Sequence, residues 1–189
     1  MRTERLQIAP ATIWIATLTP PGEPARRTPI SEQRAAVAEL LRLAGFPPQA
    51  LAHTEQGKPY IYISGVESPH ISISHTHTHA ALAVAPCPIG LDIERISPRP
   101  LRVLGRITDA HERALLPHPA SEAEATRLWC CKEAVFKLHS PALQAVTEIR
   151  LSDFTSAEAR TAPPFVASAK FLERDSSVIC LASATDNTV

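Results

Sequence analysis

Several features that would place a chain in a specialised class are missing from this one. Lysine and arginine together number 19, as do aspartate and glutamate, so the formal net charge is zero. A protein that binds nucleic acid over a broad surface needs an excess of positive charge, so no nucleic-acid partner is expected and any anion site must be local. The longest apolar run, residues 80–85, is far shorter than the ~20 residues that span a bilayer.

The sequence also lacks a disulfide framework and an export signal. Its four cysteines, at 87, 130, 131 and 180, include no Cys-x-x-Cys pair. Adjacent cysteines in a helix, as expected for Cys130 and Cys131, are poorly placed for a mutual disulfide. The opening residues lead into no signal-peptide core. We therefore expect reduced thiols, a cytoplasmic protein and no membrane partner.

What the sequence does contain is a mixture of strand and helix patterns. Period-two alternation or short apolar runs predict strands at 12–18, 60–64, 70–75, 80–85, 89–95, 147–151, 165–171 and 177–183. Apolar residues at helical spacing, with cap and stop residues, predict helices after Ser31, over 109–116 and after Ser121. The length suits one domain or two small lobes with a shared core. We expect an α+β fold.

Two acidic residues lie on one face of a predicted strand. Residues 89–95 alternate apolar and polar side chains, so Asp92 and Glu94 leave the same face. The simplest interpretation is a solvated strand face. However, two neighbouring carboxylates repel each other unless a positive charge lies between them, and a magnesium ion would supply that charge.

A third acid lies in the predicted helix at residues 129–137. Glu133 and Lys137 are one turn apart on one helix face. Alone, this spacing indicates a surface ion pair worth a few tenths of a kcal/mol. Three carboxylates beside lysines also suit a divalent metal on a polyphosphate, because oxygens bind the ion and ammonium groups bind the phosphates.

These two segments carry a resemblance to a known family. Gly-Leu-Asp-Ile-Glu at 90–94, followed about 40 residues later by Trp-Cys-Cys-Lys-Glu-Ala-Val-Phe-Lys at 129–137, resembles the paired signature of the 4′-phosphopantetheinyl transferases. Upstream, Gly-Lys-Pro at 57–59 and Ile-Ser-His-Thr at 73–76 resemble two motifs of the larger, surfactin-synthetase-type branch. Each motif alone is weak, but the four occur in the family's order.

The resemblance implies a fold and a reaction. The fold would be a pseudo-dimer of two similar lobes, each a long helix on a small, mostly antiparallel sheet, with the ligand cleft between them. Residues 1–189 would form one domain, with lobes of about 1–90 and 91–189, working as a monomer. The enzyme, of holo-[acyl-carrier-protein] synthase type, would transfer the 4′-phosphopantetheine arm of coenzyme A to a serine of an apo acyl or peptidyl carrier protein. Adenosine 3′,5′-bisphosphate would be released.

The resemblance also assigns roles to the chemical residues. Asp92, Glu94 and Glu133 would bind Mg²⁺, with Mn²⁺ as a substitute. Lys137 would contact a phosphate and add positive charge in catalysis. Glu112 stands where the family often has a proposed general base, although a helix-surface glutamate is an equally good interpretation.

Further residues are expected to bind coenzyme A. Ser74 and His75 would contact its 3′-phosphate, and the Gly-Lys-Pro turn would direct Lys58 at a phosphate. Lys132 would touch phosphate from the flank or be a plain surface lysine. Arginine suits bidentate phosphate contacts, and of the three N-terminal candidates, Arg26, Arg27 and Arg34, the last matches a family position best.

The chain departs from the family pattern in one motif, and two other functions stay open beside the transferase. Ile71-Ser72 replaces a frequent Phe-Asn, and Thr76 replaces the usual serine. A transferase-like module could bind coenzyme A or a carrier without transferring anything. Alternatively, His75, His77 and His79 would share one face of an extended segment, a pattern that suits zinc in a hydrolase.

Overall fold

The computed structural model describes residues 1–19, 28–65 and 67–185 and confirms a mixed α+β fold. The helices are α1 (Ile30–Leu43), α2 (Pro98–Ile107), α3 (Ala110–Ala114) and α4 (Glu122–His139). The strands are β1 (Arg2–Ile8), β2 (Ala11–Thr17), β3 (Leu51–His53), β4 (Pro59–Ile61), β5 (His70–His75), β6 (His79–Ala85), β7 (Ile89–Arg95), β8 (Leu151–Phe154), β9 (Glu158–Thr161), β10 (Ser168–Arg174) and β11 (Ser177–Ser183). Within these ranges, none of the helices has both the length and the apolar composition needed to cross a lipid bilayer.

Two antiparallel sheets form most of the molecule. The first has four strands in the order β1-β2-β6-β5, and the second has five in the order β7-β11-β10-β9-β8. Strands β3 and β4 form a separate two-stranded ribbon. The chain passes from the first sheet to the second between β6 and β7, so the predicted acidic strand is the first strand of the second sheet.

Helix α1 covers the first sheet. Its buried face consists of Ala36, Val37, Leu40 and Leu41, which pack in one core with β2 and β6. The prediction that Ser31 caps this helix is wrong. The carbonyl of Pro29 already accepts the N–H of Gln33, so the helix begins at Ile30 and Ser31 lies within it.

Helix α4 covers the second sheet, and here the predicted cap is confirmed. Ser121 and Glu124 form a capping box, with each side chain accepting the other's backbone N–H. The helix packs on β7 and β11. A side chain at Gly90 would place its Cβ 1.9 Å from the backbone oxygen of Ala134. Because glycine has no such atom, the acidic strand can lie against the helix that carries Glu133.

Two serine hydroxyls join the sheets along their neighbouring edges. The Oγ atom of Ser72 in β5 accepts the N–H of Leu91 in β7, at 2.8 Å. The Oγ atom of Ser74 accepts the N–H of Ile93, at 3.3 Å. Buried apolar residues from both sheets, including Ile13 and Leu91, form one core cluster beside this seam. Side chains thus replace a backbone ladder where the two sheets meet.

All four cysteines are free, as expected. Cys130 and Cys131 in α4 and Cys180 in β11 are buried in the core beneath the second sheet, while Cys87 is partly exposed. Burial raises the pKa of the Cys130 and Cys180 thiols well above the ordinary value, so these two side chains act as small apolar groups.

Candidate active site

The buried carboxylate of Asp92 stands at the centre of the site. Its side chain in β7 is held by the adjoining strand and by α4, because Oδ1 accepts the hydroxyl of Ser74 at 2.8 Å and the ammonium of Lys137 at 2.8 Å. The other oxygen, Oδ2, is buried and has no hydrogen-bond partner within the described part of the chain. A buried carboxylate oxygen is costly to leave unpaired, so Oδ2 is suited to a ligand.

Glu94 leaves the same strand face two residues later. Its Oε1 atom accepts the indole N–H of Trp129 at 3.1 Å. Burial, followed by the negative charge of Asp92, raises the pKa of Glu94 despite that hydrogen bond. Trp129 therefore orients one of the three predicted metal ligands.

Glu133 on α4 belongs to the same electrostatic group. Burial, followed by the charge of Asp92, raises the pKa of its carboxyl, and Lys137 partly opposes that effect. The charge of Glu133 in turn raises the pKa of Glu94. The structure thus brings the three predicted acids close enough to repel one another.

The donor set of this acid group fits magnesium or manganese chemically, although no metal cage is formed. Carboxylate oxygens are the ligands that these hard ions prefer, and a cation would relieve the repulsion and occupy Asp92 Oδ2. Over residues 1–19, 28–65 and 67–185, however, no three His, Cys, Asp or Glu side chains are already arranged to hold a metal ion.

Lys137 lies where the acid group meets a cleft between α1 and the two sheets. Its ammonium donates to Asp92 Oδ1 and, at 3.0 Å, to the backbone oxygen of Leu91. The side chain remains partly exposed. The ammonium is therefore open to an anion that enters the cleft, and the phosphate contact stays a prediction.

The cleft has a volume of about 940 Å³ and lies between α1 and the seam of the two sheets. Its wall includes Arg34 on α1, Ser74 and His75 at the end of β5, and Asp92 and Lys137. Apolar residues of α1 and the β3–β4 ribbon complete it. Five of the predicted site residues, far apart in sequence, therefore line one cavity.

The serine of the predicted 3′-phosphate pair has a different role from the histidine. Ser74 is buried, and its hydroxyl is already used as a donor to Asp92 and an acceptor from Ile93. His75 is exposed on the cleft wall. The structure thus leaves His75 accessible to an anion, whereas Ser74 orients the central carboxylate.

Lys58 does not point into the cleft, although its neighbours Gly57 and Pro59 line it. Its ammonium donates instead to the backbone oxygens of Leu138, at 3.0 Å, and Ser140, at 3.4 Å, at the C-terminal end of α4. The predicted phosphate contact is therefore absent from this arrangement. The other N-terminal candidates, Arg26 and Arg27, lie outside the described residues.

Glu112 and Lys132 are not at the cleft. They form an ion pair of 2.7 Å in which both side chains have 0% exposure. Glu112 also accepts the N–H of Leu151 on Oε1 and that of Asp109 on Oε2, while Lys132 donates to the oxygen of Ile149. The expected general base and flanking phosphate ligand are thus buried groups with their hydrogen bonds satisfied. Neither can contact a bound substrate in this arrangement.

The three alternating histidines do not form a metal face. Strand β5 ends at His75, and the N–H of Thr76 donates to the oxygen of His79 across a tight turn, so His79 begins β6. His79 is buried with Nδ1 hydrogen-bonded to Thr78 Oγ1, and burial lowers the pKa of its imidazole. The turn breaks the extended segment on which the zinc alternative depended.

A second cavity, which the sequence analysis did not single out, lies on the other side of the acids. It has a volume of about 260 Å³, and Glu94 and Trp129 line it together with Arg99 and Arg106 of α2. The signal that could have revealed it is the spacing of arginines 99, 102 and 106, in a helix that contains no acidic residue. The acid group therefore has access to two cavities.

Comparison with known proteins adds an independent finding. The sequence model of the 4′-phosphopantetheinyl transferase superfamily matches residues 88–183, which include the acid group and Lys137. The chain is also 32% identical, over 119 residues, to the 4′-phosphopantetheinyl transferase psf-1 of Bacillus pumilus. That match covers 60% of this chain and 50% of the relative. The chain thus spans about half the length of the curated relative it matches.

Proposed function

Because the chain belongs to the 4′-phosphopantetheinyl transferase superfamily, we propose that it transfers the 4′-phosphopantetheine arm of coenzyme A to a serine of an apo acyl or peptidyl carrier protein. This is the reaction of a holo-[acyl-carrier-protein] synthase. One observation carries the proposal: a single cleft contains Arg34, His75, Lys137 and a buried Asp92 with an unpaired oxygen. Cations and a metal-binding carboxylate are what a diphosphate substrate needs.

The proposed chemistry is one phosphoryl transfer. The serine oxygen of the carrier attacks the phosphorus attached to the pantetheine arm, and a new P–O bond forms. The bond between that phosphorus and the bridging oxygen breaks, and adenosine 3′,5′-bisphosphate leaves with the electron pair. Negative charge grows on the diphosphate, so the fixed positive charge of Lys137 lowers the barrier.

Asp92, Glu94 and Glu133 would hold the magnesium ion, with manganese as a substitute. Support comes from the raised pKa values of Glu94 and Glu133 and from the unpaired Oδ2 of Asp92. When bound, the ion would neutralise part of the diphosphate charge. The ammonium of Lys137 also holds Asp92 in place, at 2.8 Å from Oδ1.

We propose Glu133 as the acceptor of the serine proton. Its carboxyl belongs to the acid group, where the charges of Asp92 and Lys137 act on it, and a carboxylate is an ordinary general base. Glu112 is unsuited because neither of its oxygens reaches solvent or the cleft. Glu112 and Lys132 instead bind α4 to the segment around Ile149 and Leu151. This link helps to fix the part of α4 that carries Glu133.

The remaining contacts follow from the walls of the two cavities. Arg34 and His75, both exposed in the larger cleft, would bind the 3′-phosphate of coenzyme A. The carrier serine would approach from the smaller cavity, because Glu94 lines that side of the acid group. Arg99 and Arg106 at its rim favour a carrier with acidic side chains around the serine.

The lobe organisation is part of the proposal. Residues of about 1–90 and 91–189 would form two similar lobes, because each contributes one sheet and one long helix, α1 or α4, to its own core. The cleft takes its wall from both segments of a single chain, which suits a monomer. Four free cysteines suit a reducing cytoplasm.

The test is incubation with coenzyme A, magnesium and a panel of apo carriers, followed by intact-mass measurement. We expect at least one carrier to gain the mass of the phosphopantetheine arm, and EDTA to prevent the gain. A carrier that binds the protein tightly but gains no mass would favour the alternative, a binding module without catalysis. Asp92→Asn is the matched control, since it removes only one charge.

A further inference from the structure

The C-terminal end of α4 carries the chemical residues but is poorly held by its own backbone. The last carbonyls of any α-helix lack partners within the helix, and they form the negative end of its dipole. Here the N–H of Ser140 binds the oxygen of Phe136, and the N–H of Ala142 binds that of His139. The backbone oxygens of Leu138 and Ser140 accept hydrogen bonds from a side chain in the turn between β3 and β4.

That side chain is Lys58, 80 residues before Leu138 in the sequence. Its ammonium lies 3.0 Å from the Leu138 oxygen and 3.4 Å from the Ser140 oxygen. A cation at this end of a helix is favourable for both the hydrogen bonds and the dipole. Burial lowers the pKa of Lys58, so the group is partly withdrawn from water rather than a solvated surface lysine.

The turn that presents Lys58 is rigid and forms part of the cleft. The N–H and oxygen of Lys58 bind the hydroxyl and N–H of Thr54, and the N–H of Gly57 binds the Thr54 oxygen. Gly57 has a φ of +83°, a conformation that glycine adopts without strain. Because Gly57 and Pro59 line the large cleft, the turn couples its wall to the end of α4.

The Lys58 contact spans a gap between the turn and α4, in addition to the packing of α4 on β7 and β11. A cavity of about 240 Å³ separates the turn from α4, with Gln56 and Gly57 on one side and Phe136, Lys137 and Ser140 on the other. Because side chains do not fill this space, the polar link from Lys58 adds a direct connection between the turn and the helix end. Lys137, one residue before Leu138, directs its ammonium at Asp92 from the same helical turn.

We propose that Lys58 is a positioning residue: by binding the terminal carbonyls of α4, it sets Lys137 and Glu133 at their working distance from the cleft wall. The inference rests on the proposed transfer reaction. Lys58 touches neither coenzyme nor carrier in this role. Its effect passes through the helix, and small displacements of catalytic groups lower turnover strongly.

Kinetics of Lys58→Met test the role, with Lys58→Arg as the conservative variant and Lys170→Met, exposed on β10, as the control. We expect Lys58→Met to lower kcat by about 10-fold while the KM for coenzyme A stays within about 2-fold. Lys58→Arg should recover most of the loss, because its guanidinium can also bind carbonyls. A raised KM with unchanged kcat would overturn the proposal and make Lys58 a phosphate ligand.

Amide hydrogen exchange without coenzyme or carrier provides a readout independent of activity. In Lys58→Met the amides of Ser140 and Ala142 should exchange faster than in wild type, whereas Lys170→Met should leave them unchanged. Unchanged exchange in Lys58→Met, or faster exchange with a wild-type kcat, would each overturn the positioning role. If wild type itself transfers no arm to any carrier, it is the proposed function that fails, so the two failures are distinguishable.

Discussion

Two lysines on α4 each pair with a carboxylate from another part of the chain, and the two pairs differ in all but distance. Lys132 lies 2.7 Å from Glu112, and Lys137 lies 2.8 Å from Asp92. The first pair is fully buried, whereas the Lys137 side chain is 29% exposed. Both oxygens of Glu112 accept further N–H groups, while Oδ2 of Asp92 has no partner in the described residues.

We propose that the Glu112–Lys132 pair is structural and that the Asp92–Lys137 pair is functional. Removing two charges from water costs free energy, and a buried ion pair offsets that cost only when its other donors and acceptors are also hydrogen-bonded, as at Glu112. The pair at Asp92 is incompletely satisfied and faces a cleft, so a ligand can improve it. Four predictions, from the largest expected effect to the smallest, test this division.

Breaking the buried pair should cost stability rather than chemistry. Lys132→Met leaves Glu112 charged and unpaired in the core, so we expect a loss of about 3–5 kcal/mol in the free energy of unfolding, measured in urea. The double variant Glu112→Leu with Lys132→Met should recover part of it, because no charge remains buried. If Glu112→Gln folds normally but flattens the acid limb of the kcat profile, Glu112 is the base after all.

Breaking the Asp92–Lys137 pair should cost activity rather than stability. Asp92→Asn and Glu133→Gln should each lower transfer at least ~100-fold, because each removes a charge that the diphosphate site depends on. The melting temperature should stay the same or rise, since one of three repelling carboxylates is gone. Turnover near wild type at saturating magnesium would contradict the assignment of these acids.

Two neighbouring serines sharpen the comparison on the strand side. Ser72 and Ser74 each accept one N–H from β7, but only Ser74 also donates to Asp92. Alanine at either position should destabilise the fold by about 1–2 kcal/mol. Only Ser74→Ala should also lower kcat, by about 10-fold, because Asp92 loses a fixed partner. Equal losses of kcat in the two variants would show that turnover depends on the hydrogen bonds that join the sheets, and not on the contact between Ser74 and Asp92.

The smallest expected effect is a pH dependence of stability without metal. The folded-state pKa of Glu133 is raised, so the folded protein binds more protons than the unfolded chain between the two pKa values. Stability should therefore fall as pH rises through that window, from about pH 4 upward. Urea unfolding of wild type and Glu133→Gln in EDTA isolates the contribution of Glu133 to this pH dependence. Magnesium should reduce that contribution. A slope of opposite sign would contradict the crowding of the acids.

Sequence patterns predicted the acidic strand and its helix well, because both rest on local signals. The bounds 89–95 agree with β7, and Ser121 caps α4 as expected. Strand β1 was not predicted, since its side chains are mostly polar and its stability comes from pairing along its length with β2. The predicted strand at 147–151 instead contains a short 3₁₀ turn at 146–148 and the first residue of β8.

Site residues divide in the same way. Asp92, His75 and Lys137, which line the cleft, could be named in advance because they stand in motifs of the family that the sequence resembles. The roles of Lys58, Lys132 and Glu112 could not, because their partners include backbone atoms 17 to 82 residues away, which no residue pattern reveals. A lysine in a motif thus looks the same whether it meets a phosphate or a helix end.

Gly90 carries a consequence for protein design. The absence of one methyl group there allows the acidic strand to lie against the backbone of α4. A saturation library at position 90 should return glycine alone among active clones, although this residue contributes no chemical group to the cleft. Grafting the site onto another scaffold would therefore require copying the strand-to-helix spacing as well as the acids and the lysine.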